Sequence, residues 1–246
     1  MVEAKFLKRK IMSDRRYNIL STAALPFERI DHIPESIDIK VVPFIKIIPI
    51  PSVELKPFIN ELVSEKQNIV FTSAHAARIV SDCLSEIPDW KIYCIRNETR
   101  LAVEKLFGKN LISKYAENAL SLSQAIIDSG AKNAIFFCGD QRMDIVPDSL
   151  KKNGIELTEL VVYQTRLTPV QIKESPDAVL FFSPTAVRSF FSVNTVESST
   201  QIFAMGKTTA AALSNFTSNN IIISSESDKA FVLNMAVEYA VSHPTI

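Results

Sequence analysis

Ile69-Val-Phe-Thr-Ser-Ala-His-Ala-Ala-Arg78 lies over Val179-Leu-Phe-Phe-Ser-Pro-Thr-Ala-Val-Arg188 at a constant offset of 110 residues, pairing Ser73 with Ser183, Ala76 with Ala186 and Arg78 with Arg188. The register then holds without a gap. Ile92-Tyr-Cys-Ile-Arg-Asn-Glu-Thr-Arg-Leu101 falls on Ile202-Phe-Ala-Met-Gly-Lys-Thr-Thr-Ala-Ala211, and Leu111-Ile-Ser falls on Ile221-Ile-Ile. Each match is an apolar run followed by a polar or helical segment, so one supersecondary unit is used twice. Two similar domains facing each other are expected to make a cleft.

Outward from this repeat, short β-rich runs alternate with helical patterns. Strands are expected at Ile19 to Ala23, Ile39 to Ile48, Ile69 to Thr72, Lys91 to Ile95, Leu111 to Ser113 and Ala134 to Cys138. They continue at Leu157 to Thr165, Ala178 to Phe182, Gln201 to Met205 and Ile221 to Ser224. Between them, Leu55, Phe58, Ile59 and Leu62 share one face of a helix over Val53 to Glu65, and Ala76, Ile79, Val80 and Cys83 do so over Ala74 to Leu84. Further helices are expected at Val146 to Lys152, Thr185 to Phe191, Thr208 to Ser214 and Asp228 to Val241. Strand and helix in alternation predict parallel sheets covered on both sides, an α/β fold that is flavodoxin-like twice over.

A weaker pairing relates Asn18 to Ile48 with Asn133 to Thr165. Each ends in a long extended run, read as a pair of linker strands at 39–49 and 156–167. One domain is then continuous over 50–155, and the other is split between 1–38 and 168–246.

Composition narrows the function. The 246 residues carry 27 basic and 27 acidic side chains, so no global charge supports nonspecific nucleic-acid binding. Any anionic ligand must be held locally. Cys83, Cys94 and Cys138 sit apart in apolar runs and read as reduced, buried thiols, and no His or Cys pair has metal-ligand spacing. The apolar runs are too short and interrupted to span a bilayer. Lys5, Lys8, Arg9, Lys10, Arg15 and Arg16 form a basic N-terminal extension without the apolar core of a signal peptide. The expectation is a cytoplasmic protein with no metal, no nucleic acid and no membrane.

Several residues stand where chemistry is possible. Ser73 and Ser183 each close a strand and open a helix, where a side-chain oxygen caps orphan amides; the same position in a parallel sheet accepts anions. Gly206-Lys-Thr-Thr-Ala-Ala-Ala-Leu213 follows a strand with a glycine, a positive charge at Lys207 and a capping hydroxyl at Thr208 or Thr209. The upstream glycine of a phosphate loop is missing, since position 201 is Gln, so a carboxylate-binding turn or a plain connection remains. Gly139-Asp-Gln-Arg142 has a similar placement, with Asp140 as a helix cap and Arg142 as a bidentate partner for a carboxylate. Tyr163 either lies at a hinge, with its phenol available to a ligand, or packs as a strand aromatic. Arg78 and Arg188 read as surface ion-pair partners. No Ser-His-Asp order, Cys-His pair or close carboxylate pair emerges, so hydrolytic or covalent catalysis has no anchor.

In order along the chain, Phe71-Thr-Ser-Ala-His-Ala-Ala, Gly139-Asp-Gln-Arg, Val162-Tyr-Gln-Thr165, Asp177 to Phe191 and Ala204 to Leu213 together resemble the uroporphyrinogen-III synthase family. The resemblance implies a two-domain α/β enzyme joined by a two-stranded linker, without cofactor. Its members close the linear tetrapyrrole hydroxymethylbilane, a polycarboxylate, into a ring while inverting the last pyrrole and losing water. It also implies that Tyr163 assists departure of the hydroxyl group. Ser73, Thr99, Gly139, Arg142, Ser183, Thr185, Gly206, Lys207, Thr208 and Thr209 would then surround the substrate. On this reading no single substitution except at Tyr163 abolishes turnover. Two departures from the family pattern stand out. Thr22 is followed by Ala23 where a Thr-Arg pair is common, and Arg96-Asn-Glu-Thr99 lacks the glycine that Gly206 supplies in the second repeat. Close backbone approach is therefore expected less on that side than at Gly206, with Thr99 matching the family and Arg96 available to compensate. The rival readings are a noncatalytic two-lobed binding protein for a small anion and a nucleotide-sugar transferase; the latter needs more chain and a phosphate turn.

Overall fold

The computed structural model of the chain describes residues 15–30 and 32–243; Lys5, Lys8, Arg9 and Lys10 of the basic extension lie outside them. In chain order the strands are β1 (Tyr17–Ser21), β2 (Ile37–Val41), β3 (Ile45–Pro49), β4 (Asn68–Phe71), β5 (Lys91–Ile95), β6 (Ile112–Ala116), β7 (Asn133–Gly139), β8 (Glu156–Leu167), β9 (Ala178–Phe181), β10 (Gln201–Ala204) and β11 (Ile221–Ile223). The helices are α1 (Ser52–Val63), α2 (Ala74–Cys83), α3 (Glu98–Phe107), α4 (Ala119–Asp128), α5 (Ile145–Lys152), α6 (Pro184–Phe191), α7 (Lys207–Leu213) and α8 (Lys229–Ser242). The chain divides into two compact units, one of Met1–Ile45 with Leu167–Ile246 and one of Lys46–Arg166.

The unit built from both ends of the chain holds a sheet in the order β2-β1-β9-β10-β11, every pair parallel. Alternate side chains leave each strand on opposite faces, which is why the unit has two cores. Ile19, Leu180 and Phe203 pack against Val232, Leu233 and Ala236 of α8 on one face. Leu20, Val179, Phe181 and Ile202 pack against Val187, Phe190 and Leu213 of α6 and α7 on the other.

The central unit orders its strands β3-β8-β7-β4-β5-β6, and from β8 to β6 neighbouring strands run parallel. Ile69, Phe71, Ile92 and Phe137 meet α1, α2 and α3 on one face, where Phe71 stacks on Phe137 with ring centroids 5.6 Å apart. Val70, Tyr93, Phe136 and Cys138 meet α4 and α5 on the other. The repeat therefore governs packing as well as strand position. Ile69 and Phe71 face α2, as Val179 and Phe181 face α6, while Val70 faces α4 and Leu180 faces α8.

Four expectations change. Ile39 to Ile48 is two strands, because Pro43 has no N–H to give a ladder and the chain turns to bury Phe44 completely. The amide of Phe44 donates to Thr22 O and its carbonyl accepts from Thr168 N. The runs 39–49 and 156–167 are in large part ordinary sheet strands. Ile39 to Val41 pair with β1, and β8 pairs with β7 from Glu156 to Tyr163; the inward Val162, with Leu160 packed against the same core, supplies the reason. Helices α3 and α4 were not among those expected. The signal for α4 lay in Asn118 and Ser121, whose side chains each accept from the other's backbone amide in a capping box. Finally, Asp140 caps no helix; its carboxylate accepts from Thr165 N at 2.8 Å, across to β8.

Helix α8 begins at Asp228, whose carboxylate accepts from the amides of Ala230 and Phe231 and pairs with Arg29 at 2.6 Å. Burial opposes ionisation of this carboxyl, but the Arg29 and amide hydrogen bonds outweigh it and hold its pKa below the usual carboxylate value. A depressed folded-state pKa contributes stability that is present above the unfolded pKa and lost as pH falls through the folded one. Asp228→Ala is expected to cost about 1–3 kcal/mol at neutral pH, from the lost cap and the buried hydrogen bonds. In urea melts, the gap between wild type and Asp228→Asn should close below about pH 4; a gap unchanged down to pH 3 would contradict this linkage.

Candidate active site

In an open parallel sheet, ligands collect beyond the carboxyl ends of the strands, where successive connections diverge to opposite sides. That point lies between β7 and β4 in the central unit and between β1 and β9 in the other.

At the first of these, three expected site residues meet. Ser73 follows β4 and caps α2, its Oγ accepting from His75 N at 3.2 Å. Gly139 ends β7. Tyr163 on β8 lays its ring across Gly139 and donates its hydroxyl proton to Ser73 Oγ at 3.1 Å. The His75 ring stands edge-on to the phenol with centroids 6.0 Å apart.

A strand irregularity produces this arrangement. Cys138 pairs with Val161 but Gly139 pairs with Tyr163, so Val162 is an extra residue in β8. Successive residues of a regular strand point to opposite faces; the bulge lets Val162 and Tyr163 pack on the same core. Asp140 braces the bulge, its amide donating to Tyr163 O at 3.1 Å while its carboxylate holds Thr165 N. Burial pushes the phenol pKa up, nearby Cys138 and Asp140 act in the same direction, and the hydrogen bond to Ser73 opposes them. Tyr163 is thus a protonated donor throughout the neutral range.

The remaining expected residues of this unit lie farther from that cluster in chemistry. The Arg142 guanidinium is engaged by Asp144 through Nη1 and by Glu159 through Nε, so a ligand carboxylate competes with two carboxylates already in place. Thr99 is buried in the first turn of α3. The residue the sequence reading missed is Asn97. It precedes α3 with φ 66° and ψ −130°, the only non-glycine with positive φ among the described residues. Asparagine tolerates such backbone better than most side chains. The turn thought to lack a glycine adopts positive φ nonetheless, as Gly206 does before α7 with φ 93°. An asparagine between a strand and a helix was the available signal.

In the other unit Ser183 caps α6, its Oγ accepting from Ala186 N at 3.1 Å. Thr185 accepts from Arg188 Nη2 at 3.2 Å, so Arg188 turns back along its own helix and makes no ion pair among the described residues; Arg78 makes none either. Beyond the neighbouring strand β10, Gly206 opens α7 with no side chain capping it. Lys207 and Thr208 are exposed there. Thr209 is buried and donates back to Met205 O at 3.5 Å, which leaves Thr208 as the hydroxyl on the surface. Thr22, after β1, donates to Leu180 O at 2.7 Å and ties β1 to β9 at the divergence point.

Among the described residues no group of three or more His, Cys, Asp or Glu is arranged to hold a metal ion. No helix among them is long and apolar enough to cross a membrane.

A family model described as uroporphyrinogen-III synthase HemD matches residues 35–231, most of the chain and both copies of the repeat. The chain belongs to this family. Among solved structures it is similar to uroporphyrinogen-III synthetase from Helicobacter pylori, with a TM-score of 0.63 and 16% identity over 91% of this chain and 99% of that one. It is also similar to a mutant uroporphyrinogen III synthase from the extremely thermophilic bacterium Thermus thermophilus, with a TM-score of 0.59 and 12% identity over 92% and 99%. At these identities the likeness is one of fold. No curated protein matches the sequence. The cluster of Tyr163, Ser73 and Gly139 sets a phenolic hydroxyl at the divergence point of the central unit.

Proposed function

We infer that the chain catalyses closure of hydroxymethylbilane to uroporphyrinogen III, with inversion of the terminal pyrrole and loss of water, as a hydro-lyase of tetrapyrrole biosynthesis. The observation that carries this is the family match over residues 35–231. The bilane can close unaided to the uninverted isomer, so the enzyme's task is to hold the chain ends in the geometry that favours attack at the substituted carbon.

The same reading takes each compact unit as a flavodoxin-like domain. The strand order supports it. Numbered along the chain, β2-β1-β9-β10-β11 is a 2-1-3-4-5 sheet, and β8-β7-β4-β5-β6 is the same order entered at β4. The two passages between units, at Ile45 to Lys46 and Arg166 to Leu167, are then the linker.

Tyr163 is the proposed general acid, helping the hydroxyl of the bilane leave as water. Its support is placement: a half-buried phenol beside the strand ends at the divergence point, with Ser73 at its hydroxyl. The raised pKa keeps it protonated but makes it a weaker acid. Substrate carboxylates are assigned to Ser183, Thr185, Gly206, Lys207, Thr208 and Thr209 in one domain, and to Thr99 and Arg142 in the other. Lys207 brings a charge unpaired among the described residues, and the uncapped amides of α7 bring donors. Thr209 and Thr99 contribute through backbone amides, being buried. We place the enzyme in the cytoplasm as a monomer, acting without a cofactor.

The test is to incubate the protein with freshly generated hydroxymethylbilane and resolve the oxidised products by isomer. Type III in excess is expected. Type I alone would leave only the noncatalytic anion-binding reading.

A further inference from the structure

Ser73 and Gly139 are residues from which direct substrate contact was expected, yet their geometry is directed at Tyr163. A Cβ on Gly139 would collide with Cε2 and Cζ of the tyrosine ring and come within 2.8 Å of its hydroxyl oxygen. No side chain larger than hydrogen fits beneath the ring without moving it. Ser73 Oγ is pinned by His75 N at 3.2 Å, at the start of α2, and it receives the phenolic proton at 3.1 Å. With Val162 bulged out of register, ring and hydroxyl are fixed from below by Gly139 and at the tip by Ser73.

Resting on the assignment of Tyr163 as the general acid, we propose that Ser73 and Gly139 are positioning residues, which act on the reaction through Tyr163 and not by binding substrate carboxylates. Gly139 sets where the ring lies. Ser73 holds the phenolic oxygen at the tip. As the phenol turns about its C–O bond and gives its proton to the leaving hydroxyl, the Ser73 O–H turns to donate to the phenolate left behind, the sense in which this hydrogen bond lowers the phenol pKa. Proton transfer is steeply sensitive to such alignment, whereas the affinity for a polycarboxylate spread over many contacts is not.

The two roles separate kinetically. Ser73→Gly removes the hydroxyl but keeps the helix cap nearly intact, since glycine is tolerated at that position. It is expected to lower kcat for type III formation about tenfold and leave KM within about twofold, a partial loss because the acid itself remains. Ser73→Thr, which restores an oxygen acceptor, should recover kcat to within about twofold. Tyr163→Phe should lower kcat about a hundredfold, and Ser73→Gly placed in that background should lower it no further. A Ser73→Gly effect that falls on KM, or that multiplies with Tyr163→Phe, would overturn the proposal and return Ser73 to substrate binding while leaving the catalytic role of Tyr163 standing. Ser73→Thr as slow as Ser73→Gly in a folded protein would also overturn it. Wild-type kcat in Tyr163→Phe would overturn the general-acid reading and this proposal together.

Discussion

Tyr163→Phe is expected to form uroporphyrinogen III about a hundredfold more slowly than the wild type, with the product shifted toward the uninverted isomer. The substitution removes one oxygen and leaves the ring on Gly139, so fold and substrate affinity should hardly change. The expected signature is a fall in kcat with KM conserved, as for an interaction made chiefly in the transition state. The spontaneous route to the type I isomer runs at its own rate in solution. A slowed enzyme therefore loses in isomer ratio as well as in turnover, and the ratio is the more sensitive reading. Stopped sampling of both isomers at several bilane concentrations checks this. An unchanged ratio would remove Tyr163 from the chemistry.

Gly139→Ala should be as damaging for a different reason. The added methyl lies where the tyrosine ring lies, and the strand cannot yield easily, because Gly139 is buried between Cys138 and an Asp140 whose amide and carboxylate both bind β8. The ring has to leave its seat and with it the hydrogen bond to Ser73. Overpacking of this kind costs about 1–3 kcal/mol of stability. Catalysis should fall at least about a hundredfold, since the acid is displaced as well as unaligned. Urea melts taken beside kcat separate the two effects. A folded Gly139→Ala enzyme of normal activity would show that the ring has no fixed place in the reaction.

How far the sequence disclosed these features depends on what each one rests on. The repeat between Ile69–Arg78 and Val179–Arg188 determined strand and helix, because both follow from local apolar spacing copied twice. The capping serines were equally legible, since a serine between an apolar strand and a helix is placed to accept from the first free amides. The bulge at Val162 was not. Nothing in Leu160-Val-Val-Tyr-Gln announces an extra residue, and it exists only because β8 must keep pairing with β7 while Tyr163 crosses Gly139. Arg142 was read as open to a ligand because Glu159, its second partner, is remote in sequence and arrives only once β8 lies beside β7. Asn97 escaped because positive φ was sought in glycines alone. Thr208 and Thr209 looked interchangeable as strings, and the helix periodicity sent one outward and the other into the core.

The most direct trial of the whole account is a titration of enzyme against a fixed burst of hydroxymethylbilane, with the isomers resolved at each enzyme concentration. The type III fraction should climb toward completeness with wild-type protein, and its rise should need roughly a hundredfold more of Tyr163→Phe. A type I product at every concentration of the wild-type chain would contradict it.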